Sequence, residues 1–215
     1  MNRDNRCLNR TIIQQSTKNN MGKTRLEAFS DGVLAIIITI MVLELKIPEG
    51  TSLQALKPVL AVFLTYALSF IYIGIYWNNH HHLMHLVKHI SAGIMWANLN
   101  LLFWLSLIPF ATGWMDENYF EPLPVALYAA LLAICGIAYT ILQATIDNCH
   151  KSEGALKEIM QAQRKKGIIS FVIYIAAIPL AYINTIISGC LFIAVAIMWI
   201  IPDRKIERIT TTESK

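Results

Sequence analysis

The sequence predicts an all-α fold: a polytopic membrane protein with six transmembrane helices and no substantial soluble domain. Three observations carry this. Hydrophobic residues make up 55% of the 215-residue chain and charged residues 15%, against about 25% charge in an ordinary soluble domain, so there is too little polar surface to be wetted all round. The apolar residues come in blocks of about 16–25 with few or no charges, the length at which a helix crosses a hydrocarbon core. The blocks also recur along the whole chain, unlike a cleaved signal peptide. The formal charge of +4 is modest, and no basic–aromatic patch points to a nucleic-acid partner.

Residues 1–22 are polar, Asn-rich and basic without a period, and are expected to form a disordered N-terminal tail; Met21 is an alternative start. The six-helix membrane domain is expected over 23–203, with a cytoplasmic C-terminal tail over 204–215. The first span falls at Leu26–Leu45 and is stopped by Pro48, Glu49 and Gly50. Pro58 suits the first turn of a second span over 58–79, followed by a His-rich polar stretch, 78–90. The third span covers 91–113, and a loop carries Asp116, Glu117, Asn118, Pro122 and Pro124. The fourth covers 124–146. A connector over 147–166 holds Lys151, Lys157, Arg164, Lys165 and Lys166.

The block 167–201 is too long for one crossing: a single helix there would measure about 50 Å against a core of about 30 Å. Two short spans folded back near Tyr182–Thr185 fit it, with local thinning of the bilayer around them. Pro202 ends the last. Pro109 and Pro179 are expected to kink or end helices. Trp96, Trp104, Trp114 and Trp199 read as packing or interfacial anchors.

Six spans place both termini on one side. Sixteen of the eighteen Lys and Arg residues then share that side, leaving only Lys46 and Lys57 opposite. Basic residues stay cytoplasmic, so a cell-membrane location with both termini in the cytoplasm is expected. Cys7, Cys135, Cys149 and Cys190 make no Cys-x-x-Cys pair and read as reduced thiols, without a disulfide or zinc framework.

Asp31 lies inside the first apolar helix. An intramembrane carboxylate is costly and marks a functional site; a place in the first helical turn, favoured by the helix dipole, is a compatible account of its tolerance. Ile36, Thr39, Ile40 and Leu43 stand at i, i+3, i+4 and i+7 and share one face. Asp31 is about 140° away from Ile36 around the helix, and Arg25 is not at an i+4 position from it. Its partners should therefore sit on another helix, with Asn78, His80, His81, Asn98 and Asn100 as the candidates. Taken alone, an Ile/Thr stripe is also what ordinary helix packing looks like.

Arg25-x-x-x-Phe29-Ser30-Asp31 followed by an Ile-rich helix resembles the signature of the transmembrane protein 175 family of potassium channels. Trp77-Asn78-Asn79-His80-His81 near the end of the second span is similar to that family too. The resemblance covers the six-span layout, although only the first-span motif is specific. It implies that the first helix lines a central pore. Arg25, Phe29, Ser30 and Asp31, with Trp77, His80 and His81, would hold that helix in a hydrogen-bonded network. Ile36 would form the narrowest ring, Ile40 and Leu43 two further constrictions, and Thr39 would act in selectivity.

The motif occurs once; the family's two-repeat members build a pore from two chains, so the resemblance implies four copies of this chain around the axis. The function implied is a homotetrameric, potassium-selective or weakly selective cation leak channel. Potassium ions, other monovalent cations and protons would be its permeant partners, and membrane lipids its surroundings. There is no Thr-Val-Gly-Tyr-Gly segment and no Arg-repeat voltage sensor, so such a pore would gate by size and dewetting at its apolar neck. Glu44 would lie at the outer mouth, either as part of a carboxylate ring that concentrates cations or as a solvated interfacial side chain beside Lys46.

Two other readings compete. A proton-coupled secondary transporter would use Asp31 with His80 and His81 as a relay. An intramembrane enzyme would need a nucleophile or acidic set beside the histidines, and the sequence offers none, so no catalytic residue and no cofactor are expected. His81, His85 and His89 recur every four residues, a spacing that can bind metal. No Cys or acidic residue completes a site, so no metal is expected.

Overall fold

The computed structural model describes residues 3–48, 50–85, 87, 89–150 and 155–201. The expected C-terminal tail and the basic residues Lys88, Lys151, Arg204, Lys205, Arg208 and Lys215 lie outside them. Seven helices follow in order: α1 (Arg3–Leu43), then a single 3-10 turn (Leu53–Ala55), α2 (Leu56–His85), α3 (Ala92–Leu105), α4 (Ile108–Glu117), α5 (Pro122–His150), α6 (Ala155–Ala181) and α7 (Thr185–Ile200). They make six crossings, because α3 and α4 are one span broken at Ser106–Leu107. Pro109 sits in the first turn of α4, where a missing N–H costs nothing. Among the described residues, Gly22–Leu43, Ala92–Glu117 and Pro122–Cys149 are each long and apolar enough to cross a membrane.

The N-terminal segment departs from the expected disordered tail, since α1 begins at Arg3. Residues 3–21 contain neither proline nor glycine, although they are rich in Asn. A helix nucleated by the apolar span can therefore propagate backwards through them. Asp31 is then many turns from the helix start, so a first-turn dipole account of its tolerance does not apply. The 147–166 connector is also largely helical, shared between the end of α5 and the start of α6.

The 167–201 block does fold back, at Tyr182–Asn184. Asn184 caps α7 by accepting the Ile186 N–H at 2.9 Å. Ser188 Oγ donates to the Ala177 carbonyl at 2.8 Å, tying the two short helices together. Pro179 lies inside α6, close to its end.

α5 is the central helix, packed on α3, α4, α6 and α7. Its buried alanines, Ala126, Ala129, Ala133 and Ala138, alternate with Tyr128, Leu132 and Leu142; small residues let neighbouring backbones approach. Polar groups in this core pair across helices. The Tyr72 hydroxyl donates to the Phe192 carbonyl at 2.7 Å. Thr112 gives its single proton to the Ile108 carbonyl at 2.8 Å, so at 2.8 Å from Ser69 it must accept. Ser69 in turn accepts from the Tyr128 hydroxyl at 2.9 Å, which closes the chain with no wasted donor.

α1 is enclosed much less than α3–α4 or α5. Only 22% of its apolar window is buried, against 61% for α5, so most of its surface is left for something outside the protomer.

Candidate functional site

α1 presents two unlike faces. Leu34, Ile37 and Met41 are 2–3% exposed and pack into the bundle. On the other side Ile36 is 58%, Ile40 43% and Leu43 81% exposed, and Thr39 lies among them, also exposed. The four stripe residues thus form one uncovered apolar strip interrupted by one hydroxyl. Thr39 donates that hydroxyl proton to the Ile36 carbonyl at 2.9 Å, so its oxygen lone pairs are what it offers outward.

Ser30, one position before Asp31, is fully buried. Its hydroxyl donates to the Leu26 carbonyl at 2.9 Å and accepts from Asn98 Nδ2 of α3 at 2.9 Å. Asn98 Oδ1 stands 2.7 Å from His80 Nε2 of α2. A carbonyl oxygen can only accept, so His80 Nε2 carries the proton. Asn98 and His80 are 0% and 2% exposed. The three side chains pin α1, α2 and α3 together in a dry place, where an unmatched polar group would be costly.

Asp31 itself faces the rim. Its Oδ1 accepts the Trp77 indole N–H at 3.0 Å. The partner is on another helix, as the spacing required, but it is none of Asn78, His80, His81, Asn98 or Asn100. His80 and Asn98 serve the neighbouring serine instead, because one residue along a helix turns the side chain by about 100°. His81 reaches Asp31 only indirectly: its ring stacks on Trp77, with centroids 6.0 Å apart at 23°. Arg25 and Phe29 are exposed on the protomer.

At the other end of α1, the Glu44 carboxylate turns toward α4. Its Oε2 would lie 3.6 Å from a Cβ added at Gly113. Glu44, Lys46, Asp116 and Glu117 share a cavity of about 420 Å³ with Val59, Val62, Tyr119 and Phe120. Lys46 pairs with Glu117 at 3.0 Å rather than with Glu44. The cavity is capped by Tyr119 and Phe120, whose φ values of 50° and 59° are left-handed. Phe120 N–H reaches back to the Met115 carbonyl at 3.0 Å to close the end of α4. Asn98 was a candidate partner for Asp31 and serves Ser30 and His80 instead, while nothing in the sequence marked Gly113 as the seat of Glu44.

Residues 25–109 match the family described as the endosomal/lysosomal potassium channel TMEM175. The chain is 52% identical over 188 residues to a potassium channel of a Chryseobacterium species, covering 87% of this chain and 97% of that protein. It is 31% identical over 179 residues to a potassium channel of Chamaesiphon minutus, covering 76% and 86% of the two. Its fold is similar to the crystal structure of a lysosomal potassium-selective channel TMEM175 homolog from Chamaesiphon minutus. That likeness has a TM-score of 0.67 at 26% identity and covers 83% of this chain and 96% of the other.

Proposed function

The chain belongs to the TMEM175 family, as a prokaryotic member, and from that membership we propose that it is a homotetrameric cation channel, potassium-selective or weakly selective, whose pore is lined by α1 from each copy. It is a membrane protein of an ion-channel family and not an enzyme. The observation that carries the finer reading is the uncovered strip Ile36–Thr39–Ile40–Leu43 on a helix only 22% buried over its apolar window. A helix so apolar on its free side needs partners, and four copies around an axis supply them with one another's strips.

In that arrangement rings of Ile36, Ile40 and Leu43 form a neck that expels water, and a hydrated ion crosses only when the neck widens. Thr39 oxygens then replace part of the hydration shell of a passing potassium ion. The Ser30–Asn98–His80 cluster and the Trp77–Asp31 bond fix where each α1 stands, with Arg25, Phe29 and His81 at the edge of that anchor. Both termini face the cytoplasm. Glu44, turned to α4, acts less as a cation-concentrating ring than as part of the packing at the far end of the helix.

The competing carrier reading is disfavoured by one contact. An indole N–H donates but cannot accept, so no proton relay runs through Trp77 from Asp31 toward His81. Single-channel recording of the purified protein in planar bilayers tests the proposal. Unitary potassium currents are expected, and Ile36→Asn should raise the conductance or the open fraction by wetting the neck. No cation current from either protein would end the channel reading.

A further inference from the structure

We propose that His81 and His85 form a binding site for a divalent transition-metal cation of the copper or nickel type at the C-terminal end of α2. The two imidazoles stand one turn apart on the same helix face. Their Nε2 atoms are 3.0 Å from each other, their ring centroids are 4.5 Å apart at 86°, and both side chains are exposed. In the metal-free pair one proton bridges the two nitrogens. An ion held by two cis nitrogens at about 2.0–2.1 Å and near a right angle would place them about 3.0 Å apart, while a tetrahedral zinc ion would want about 3.4 Å. The separation, set in the metal-free pair by that hydrogen bond, is also the one cis ligands in a tetragonal or octahedral sphere need, and imidazole is a ligand such ions prefer.

Among the described residues no group of three or more His, Cys, Asp or Glu could enclose a metal. Water must complete the sphere, which makes the site open and exchangeable. The Lys23 ammonium donates to the His85 carbonyl at 3.4 Å; a positive charge there weakens cation binding and keeps occupancy responsive to metal concentration. His82 packs edge-on to His81 at 5.8 Å and takes no part in the nitrogen pair.

Occupancy has a route to α1. A metal fixes the His81 ring, which stacks on Trp77, and Trp77 holds Asp31. Binding therefore stiffens the contact that anchors the first helix and lowers the current.

Titration calorimetry of the tag-free, full-length protein in detergent micelles with nickel tests the site itself, whatever the protein conducts. One ion per chain is expected. His81→Ala and His85→Ala should each weaken binding by at least the ~10-fold that follows loss of a mere outer-shell partner, and His82→Ala should leave it unchanged. Unchanged affinity in either of the first two variants, or an equal loss in the third, would overturn the assignment. His85 is exposed and outside the anchoring cluster, so His85→Ala should keep its basal current while losing the nickel response. Nickel inhibition that survives in His85→Ala, or binding without inhibition in the parent protein, would overturn the coupling to α1.

Discussion

Asn98→Leu is the most informative single change in the anchoring cluster. The side chains share their branching and number of heavy atoms, so the shape is kept, with bulkier ends, while both polar contacts vanish. Ser30 loses a donor but still gives its own proton to the Leu26 carbonyl, so it is not stranded. His80 is different: its Nε2 proton, 2% exposed at the residue level, is left without an acceptor. An interhelical hydrogen bond in a membrane protein is worth about 0.6 kcal/mol on average and up to about 1.7. A stranded buried donor adds about 1–3 kcal/mol. The expected destabilisation of Asn98→Leu is therefore about 2–3 kcal/mol, most of it from His80 rather than from Ser30. His80→Phe alone should cost about 1–2 kcal/mol, because it strands Asn98 Oδ1 in the same dry place. The double variant removes both orphans together and should lose at least about 1 kcal/mol less than the sum of the singles. Denaturant titration in detergent, followed by circular dichroism, gives all three values. Additivity within about 0.5 kcal/mol would refute the reasoning, since it would mean that the two side chains do not share a contact.

Three further outcomes are expected. Thr39→Ala should reduce potassium-over-sodium preference in bilayer recordings, and an unchanged reversal potential would remove Thr39 from the filter. Ser69→Ala should destabilise more than Tyr128→Phe, by about 1 kcal/mol, because it strands a fully buried tyrosine hydroxyl whereas the reverse change leaves Ser69 still donating to Thr112; equal losses in the same titration would contradict the donor order. Lys46→Gln should change stability by less than about 0.5 kcal/mol, since the Lys46 and Glu117 side chains are 81% and 62% exposed; a loss above about 1 kcal/mol would mean that this contact, not packing, secures the end of α1.

Periodicity made part of this molecule readable before any coordinates. The common face of Ile36, Thr39, Ile40 and Leu43 follows from 3.6 residues per turn, and those four residues do share one uncovered side. The return of the chain after Ala181 followed from length alone, since 35 apolar residues cannot make one crossing. Helix breaking at Pro109 followed from the missing N–H. Other features left no such trace. Residues 3–21 lack helix breakers but are Asn-rich and have no apolar period, so the backward extension of α1 could not be seen. Trp77 entered the expected network only through the family resemblance; helical spacing did not single it out as the partner of Asp31, because its single N–H is easily overlooked beside a row of histidines and asparagines. The pairing of Asn98 with Ser30 depends on the angular offset of two helices, which no single-helix pattern encodes.

The order in which the Ser30 cluster is synthesised bears on how the chain enters its bilayer. Asn98 is made 68 residues after Ser30, which at about 5–20 residues per second is a wait of about 3–14 s. Ser30 can bear that wait because its proton is already placed on Leu26, within its own helix. His80 has no such local acceptor, and it precedes Asn98 by only 18 residues, about 1–4 s of synthesis. The group that is dear to leave unmatched is thus the one whose partner arrives soonest. The third hydrophobic segment thereby acts as a latch on the nascent chain: until it has been delivered, the first two helices can tilt and rotate against each other, and once it docks, their register is set before the remaining half of the protein has been translated.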